Sequence, residues 1–305
     1  MQQTLRIATA INAAYLLPLR VMLASLTEHL RASFRPVLYV INRDLNRQQL
    51  DSLSALVEVH SIVPGPDATH ALPRQQGFLP EVTFPLLLSD ILPESLDRVL
   101  FLDPDLLILD DLATVWETDL AGRAIAAVRD QAIPFCSSPR GVKNRASLGI
   151  PDAAWYFNAG VMLIDIASWR HLDIPARASR YIRQLGGETD FLHQEGLNAV
   201  LWDNWLPLHQ RWNLIASLTG RRYGRYRAME WVPPGIVHFA GPFKPWRFRI
   251  GGPFAASYNE LLARHSAGES SQTPSFVERL LSIYDRHVRE YLYDCERALW
   301  NRRLI

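Results

Sequence analysis

The feature that most constrains this chain is a set of short, almost wholly apolar runs separated by helical patterns. Val99–Leu102, Ile125–Val128 and Val161–Ile166 do not alternate between apolar and polar residues. A strand with one wet face alternates; a strand covered on both faces does not. Leu5–Ala10, Val37–Ile41 and Val57–Val63 read as further strands. Pro18–Arg31 reads as a helix with Leu19, Met22, Leu23, Leu26 and Leu30 along one side. Such alternation predicts an α/β fold, with a parallel or mixed sheet and helices on both of its faces. Ligands of such sheets bind beyond the carboxyl ends of the strands, so the chemistry is sought there.

The chain has 305 residues, enough for one large domain or two modest ones. Its net charge of +1 provides no basic field, which argues against a nucleic-acid partner. Cys136 and Cys295 are isolated and form no CxxC pair, so a reducing, cytoplasmic setting is expected. No signal peptide is recognisable at the amino terminus, and no run reaches the roughly 18 apolar residues of a membrane span. Pro64–Pro80 reads as a loop and Ser266–Pro274 as a linker. Beyond the linker, Val277, Leu280, Leu281, Tyr284, Val288, Tyr291, Leu292, Cys295 and Leu299 recur at helical steps. The expected organisation is therefore an α/β domain over residues 1–250 and a linker with an amphipathic helical extension over 251–305. Arginines and acids balance on that extension, which favours packing on the core or in a homodimer over strong attachment to anionic lipid.

Two segments carry chemistry. The first is Arg98-Val99-Leu100-Phe101-Leu102-Asp103-Pro104-Asp105, an apolar run that ends in two carboxylates one residue apart. Pro104 cannot donate to a sheet ladder, so the strand finishes before it. Two acids at a strand's carboxyl end suit a hard divalent cation, which prefers oxygen ligands. Alone, the pattern fits an acidic turn equally well, because D-x-D is short and common. Asp110 and Asp111 read as a solvated turn or helix cap.

The second segment is Ile236-Val237-His238-Phe239-Ala240-Gly241-Pro242-Phe243-Lys244-Pro245-Trp246. Imidazole can complete a carboxylate metal site. Glycine lets backbone approach a phosphate, and lysine supplies charge for a diphosphate. The chain has only two lysines, Lys143 and Lys244, and one of them falls here. An isolated histidine reads more readily as a satisfied core residue. Gly241 and Lys244 beside it turn the reading toward a site.

With these segments read, the chain resembles glycosyltransferase family 8, retaining enzymes that include bacterial lipopolysaccharide galactosyl- and glucosyltransferases and glycogenin. Four blocks carry the resemblance in the family's order: RVLFLDPDLLILDDL (98–112), WYFNAGVMLIDIASWR (155–170), QEGLNAVLWDNWLPLHQRWN (194–213) and HFAGPFKPW (238–246). It implies a GT-A fold, a Rossmann-like mixed sheet flanked by helices, with a UDP-sugar donor and a manganese or magnesium ion. By position, it implies Asp103, Asp105 and His238 as metal ligands. Gly241 and Lys244 match the turn that contacts the diphosphate, and Tyr15 matches the aromatic against the uracil. Asn158 resembles a residue of the sugar and acceptor pocket, and Gln194 matches the polar side chain beneath the donor sugar.

Three positions depart from the family pattern. Asn12 stands where an acid usually contacts the base. Leu86 replaces an arginine near the donor sugar, and His193 replaces the acid before the glutamine. The last two changes together remove an Arg–Asp pair, which points either to an altered choice of sugar or donor or to weak activity.

The resemblance implies transfer of a hexose, glucose or galactose favoured, from a UDP-sugar to a hydroxyl acceptor with retained configuration. The acceptor, whether glycan, lipid-linked or protein, is left open; lipid-linked acceptors in the family keep peripheral membrane contact open as well. Gln194 is a poor nucleophile, so attack from the leaving-group face is expected; Glu195 keeps a double-displacement route open or serves as a first-turn helix acid. Arg211-Trp212-Asn213 reads as an acceptor-orienting element or a structural corner. Two rivals are weighed against this reading. A non-catalytic sugar-nucleotide or glycan-binding protein on the same fold is motivated by Leu86 and His193. A nucleotidyltransferase would carry a glycine-rich loop near its start, and Thr9–Tyr15 has no glycine.

Overall fold

The computed structural model describes residues 2–73, 80–186, 189, 191–216, 232–241, 244–246 and 254–266. The first half is built of strands and helices in turn: β1 (Gln3–Ala10), α1 (Leu16–His29), β2 (Phe34–Ile41), α2 (Arg47–Ser54) and β3 (Glu58–Ile62). There follow α3 (Pro66–Ala71), α4 (Leu88–Ile91), β4 (Arg98–Leu102), β5 (Leu106–Ile108), α5 (Ala113–Trp116) and β6 (Ile125–Arg129). The second half holds β7 (Phe157–Asp165), α6 (Ile166–His171), α7 (Ile174–Gln184), α8 (Leu192–Leu201), β8 (Trp205–Leu208), β9 (Leu214–Ile215), β10 (Ile236–His238) and α9 (Ala255–His265).

Seven strands form one mixed sheet in the order β3-β2-β1-β4-β7-β6-β8. β1, β2, β3 and β4 run parallel, with Ile7 opposite Leu100 and Ala8 opposite Phe101 at the β1–β4 seam. β7 runs against both of its neighbours, β4 and β6. Its beginning, Phe157–Gly160, therefore lies at the end of the sheet where β4 and β6 finish. A small second sheet, β5-β10-β9, brings His238 to the same neighbourhood, with His238 opposite Leu106 and Ile215.

Both faces of the large sheet are covered, as the unbroken apolar runs require. Along β2, Val37, Tyr39 and Ile41 enter one core, while Leu38 and Val40 enter the other. α1 covers the second face with Leu19, Met22, Leu23 and Leu26, and Leu30 packs at its edge. α7 and α8 cover the first face with Ala178, Ile182, Leu192 and Leu197. α9, which no sequence signal announces, packs on α1 through Tyr258 and Leu261 beside Val21 and Ala24, and Arg264 bonds Glu28 at 2.9 Å.

The stretch Pro64–Pro80 differs from its sequence reading. Pro66 opens the helix α3 at a position where its missing N–H costs nothing, and residues 74–79 lie outside the described residues. The linker after Ser266 and the amphipathic repeat Val277–Leu299, with the dimer contact expected there, also lie outside them. Among the described residues no helix is long and apolar enough to cross a membrane.

Candidate metal and nucleotide site

β4 stops at Leu102, Pro104 follows, and the chain turns so that Asp103 and Asp105 project at the strand's carboxyl end. β10 delivers His238 from far along the sequence. Nε2 of His238 lies 3.3 Å from Asp105 Oδ1 and 3.6 Å from Asp103 Oδ2. One ligand atom from each of the three residues falls within 4.8 Å of the others. Lys244 Nζ reaches the second oxygen of Asp105 and donates to the Phe239 carbonyl at 2.9 Å.

The charges in this cluster are not balanced. Burial pushes the Asp103 carboxyl up, the Asp105 carboxylate beside it pushes further, and the group titrates at about 7. Burial acts on Asp105 in the same sense, but the Lys244 and His238 cations outweigh it and hold that carboxyl well below the usual range. Burial disfavours the imidazolium of His238, yet Asp105 and Asp103 overcome this and raise it. Two acids that cannot both ionise comfortably, with an imidazole at the third corner, form a donor set suited to a divalent cation.

A chain of hydrogen bonds fixes the imidazole from behind. The backbone N–H of Gly160 donates to Asn158 Oδ1 at 2.9 Å, which identifies that atom as the oxygen. Asn213 Nδ2 donates to the same oxygen at 2.8 Å, so Asn213 presents its own oxygen to His238 Nδ1 at 2.9 Å. Nδ1 must then carry a proton, and Nε2 is the atom turned to the carboxylates. At the other end of the chain, Asn158 Nδ2 donates to Asp130 Oδ2 at 2.9 Å. Gln194 Nε2 donates to that same oxygen at 3.3 Å, and its Oε1 accepts from the Ala159 N–H at 2.9 Å. Asp130 Oδ1 is held by the N–H groups of Ala132 and Ile133.

Gly160 has a steric reason to be glycine. A Cβ there would lie 2.4 Å from His238 Cε1 and 2.8 Å from Asp103 Oδ2. The cluster sits directly on this backbone, and Asp103 N–H bonds the Gly160 carbonyl at 2.8 Å. Gly241 takes φ of +93°, the left-handed region that favours glycine, and turns the chain between His238 and Lys244.

Beside the cluster opens a cavity of about 160 Å³. Asp103 and Asp105 form one wall, and Asn12 and Tyr15 lie on it after β1. The Asn12 side chain caps the short turn through the Ala14 N–H at 3.1 Å, and the Tyr15 ring meets Trp246 edge-on at 5.6 Å. Glu81, Val82, Pro85 and His193 also line it. Leu86 is fully buried in the first core, and the residues lining this cavity do not include it.

The structure thus brings together Asn12, Tyr15, Asp103, Asp105, His238 and Lys244, and ties Asn158 and Gln194 to them through the bonded chain. Glu195 is held elsewhere. Its Oε1 accepts from the Lys143 N–H and the Tyr181 hydroxyl, both at 2.8 Å, and its Oε2 from the Thr189 hydroxyl at 2.6 Å. Arg211 bonds Asp110 and the Pro233 carbonyl, so the corner Arg211-Trp212-Asn213 splits, its first residue bracing a turn and its last joining the site. Asp130 was not singled out from sequence, although it stands directly after β6 as Asp103 stands after β4. The strand-end rule applied a second time would have found it.

Known proteins resemble this chain in sequence and in fold. Residues 6–249 match the family model described as Glycosyl transferase family 8. General stress protein A of Bacillus subtilis (strain 168) is 34% identical over 192 residues, which are 58% of this chain and 61% of that protein. Glycosyltransferase GlyF of Streptococcus pneumoniae serotype 4 is 27% identical over 245 residues, 79% of this chain and 56% of that protein. The matches span less than two thirds of either relative's length. Among solved structures, the galactosyltransferase LgtC in complex with donor and acceptor sugar analogs superposes with a TM-score of 0.71 at 24% identity, covering 85% of this chain and 96% of that one. This last likeness is one of fold, and the fold is GT-A.

Proposed function

The chain belongs to glycosyl transferase family 8, and from that premise we propose that it moves a hexose from a UDP-sugar to a hydroxyl acceptor with retention of configuration, using a divalent cation. One observation carries the proposal. Two acids after β4 and an imidazole from β10, remote in sequence, converge within 4.8 Å beside a cavity lined by Asn12 and Tyr15.

In this reading Asp103, Asp105 and His238 hold manganese or magnesium. The bound cation supplies Lewis-acid charge for the diphosphate leaving group. Lys244 adds positive charge on the same side, and Gly241 lets the backbone approach the phosphates. Tyr15 stacks on the base, and Asn12 offers an amide where an acid is usual.

Gln194, fixed by Asp130 and the Ala159 N–H, offers the developing oxocarbenium centre a dipole and no nucleophile. The acceptor then attacks from the face that the diphosphate leaves, and the departing phosphate takes its proton. Glu195 has no part in this scheme: its carboxylate bonds Lys143, Tyr181 and Thr189 and stands outside the chain of bonds that ties Gln194 to Asp130 and Asn158. The acceptor is a hydroxyl of a glycan, lipid-linked or protein substrate.

The test is UDP release from a donor panel with manganese. Turnover of at least one UDP-hexose, abolished by chelation, is expected. UDP binding without turnover of any donor would replace the transferase with a sugar-nucleotide-binding protein.

A further inference from the structure

The cavity beside the metal cluster is also lined by residues with polar atoms that the protein leaves without partners. Glu81, only 7% exposed, stands in the 3-10 helix Pro80–Leu87. Arg43 bonds it from the solvent side, and both guanidinium contacts, at 3.0 and 2.9 Å, fall on Oε1. Glu81 Oε2 is buried with no hydrogen-bond partner. Both ring nitrogens of His193 are buried with none either. Buried polar atoms in folded proteins are nearly always satisfied, so three such atoms on two residues lining one cavity call for a ligand.

We propose that Glu81 and His193 select the donor sugar, accepting a neutral hexose through its hydroxyls and rejecting a hexuronate. The proposal rests on the nucleotide-sugar reading above. The chemistry of the two groups sets the choice. Glu81 Oε2 can only accept. Burial lowers the His193 imidazole to about 4, so the ring is neutral and offers one donor and one acceptor. Together they match a row of hydroxyls, each of which can donate and accept. A sugar carboxylate has no proton to give Glu81 and brings a like charge to a wall sheltered from water. Arg43 does not relieve this, because it is committed to the far oxygen and is 45% exposed.

The experiment uses the full chain with manganese and pairs of donors that differ only at C6: UDP-glucose with UDP-glucuronate, and UDP-galactose with UDP-galacturonate. Competition against UDP measures binding, and UDP release measures turnover. The wild type should bind each uronate at least about tenfold more weakly than its neutral partner and use it at least about a hundredfold less efficiently. Glu81→Gln keeps the Arg43 contact and should narrow the efficiency ratio to under about tenfold. Equal or better use of a uronate by the wild type would overturn the proposal. So would an unchanged ratio in Glu81→Gln, or a loss of UDP affinity equal to the loss of UDP-hexose affinity, which would place the pair on the nucleotide. If Glu81→Gln fails to fold, the wild-type competition ratio decides. If no donor turns over, the transferase reading fails, and the binding ratio still decides this one.

Discussion

Among the described residues, Glu195 and the pair Asp103 and Asp105 are built in opposite ways. Glu195 receives three neutral donors, and among its described contacts there is no second acid. Asp103 and Asp105 face one another and share an imidazole, while the ordering hydrogen bonds arrive from behind, through Asn213, Asn158 and Asp130. The first carboxylate is complete as it stands and braces the Lys143 loop against α7 and α8. The second pair is held in a conflict that a bound cation would relieve. The kind of partner, more than burial, separates the two: neutral donors complete Glu195, whereas charged neighbours crowd Asp103 and Asp105.

The contrast can be broken most directly at Asp105. Asp105→Ala should abolish manganese-dependent donor turnover, a loss on the order of a hundredfold or more, while the fold stays intact by circular dichroism. Wild-type rates from this variant would remove Asp105 from the site.

Gly160→Ala comes next. The added Cβ would overlap the imidazole and Asp103, so manganese should bind about 10–100-fold more weakly, as when other supporting contacts of a metal site are lost. Unchanged affinity in calorimetry would mean that the cluster does not rest on this backbone.

The acid pair should also impose a pH dependence. Metal-free folded Asp103 titrates at about 7 against an ordinary 3.8, so between these values the folded state holds a proton that the unfolded chain releases. Metal-free stability should therefore fall as pH rises through that window. Manganese competes with the same proton, so its affinity should rise by up to about tenfold per pH unit below neutrality and then level off. A manganese-induced thermal shift no greater at about pH 8 than at about pH 5.5 would contradict this linkage.

The smallest effect on the metal is expected at Glu195. Glu195→Ala strands the Lys143 N–H and two hydroxyls, costing about 3 kcal/mol of stability by chemical denaturation. Manganese affinity in the folded variant should match the wild type. A large loss of affinity without a loss of stability would reverse the contrast.

Much of this arrangement was legible in the chain. The unbroken apolar runs announced strands buried on both faces, and the strand-end rule led to Asp103 and Asp105. His238 needed the neighbouring Gly241 and Lys244 to stand out. The direction of β7 was not legible, because a doubly buried strand has the same apolar pattern whether it runs parallel or antiparallel. That direction places Asn158 and Gly160 at the site. Asp130 carried a readable signal, a carboxylate directly after a strand, but without a second acid beside it. Glu81 carried none: its burial, its one-sided contact with Arg43 and its idle oxygen arise only when the 3-10 helix packs between β1 and α8.

The proposed chemistry requires one cation shared by Asp103, Asp105 and His238 next to a diphosphate. Manganese titration followed by electron paramagnetic resonance, with and without UDP, measures this directly. One tight manganese per chain is expected, bound more tightly when UDP is present, and lost in both Asp103→Asn and His238→Ala. Manganese that binds either variant as it binds the wild type, or that ignores UDP, would contradict it.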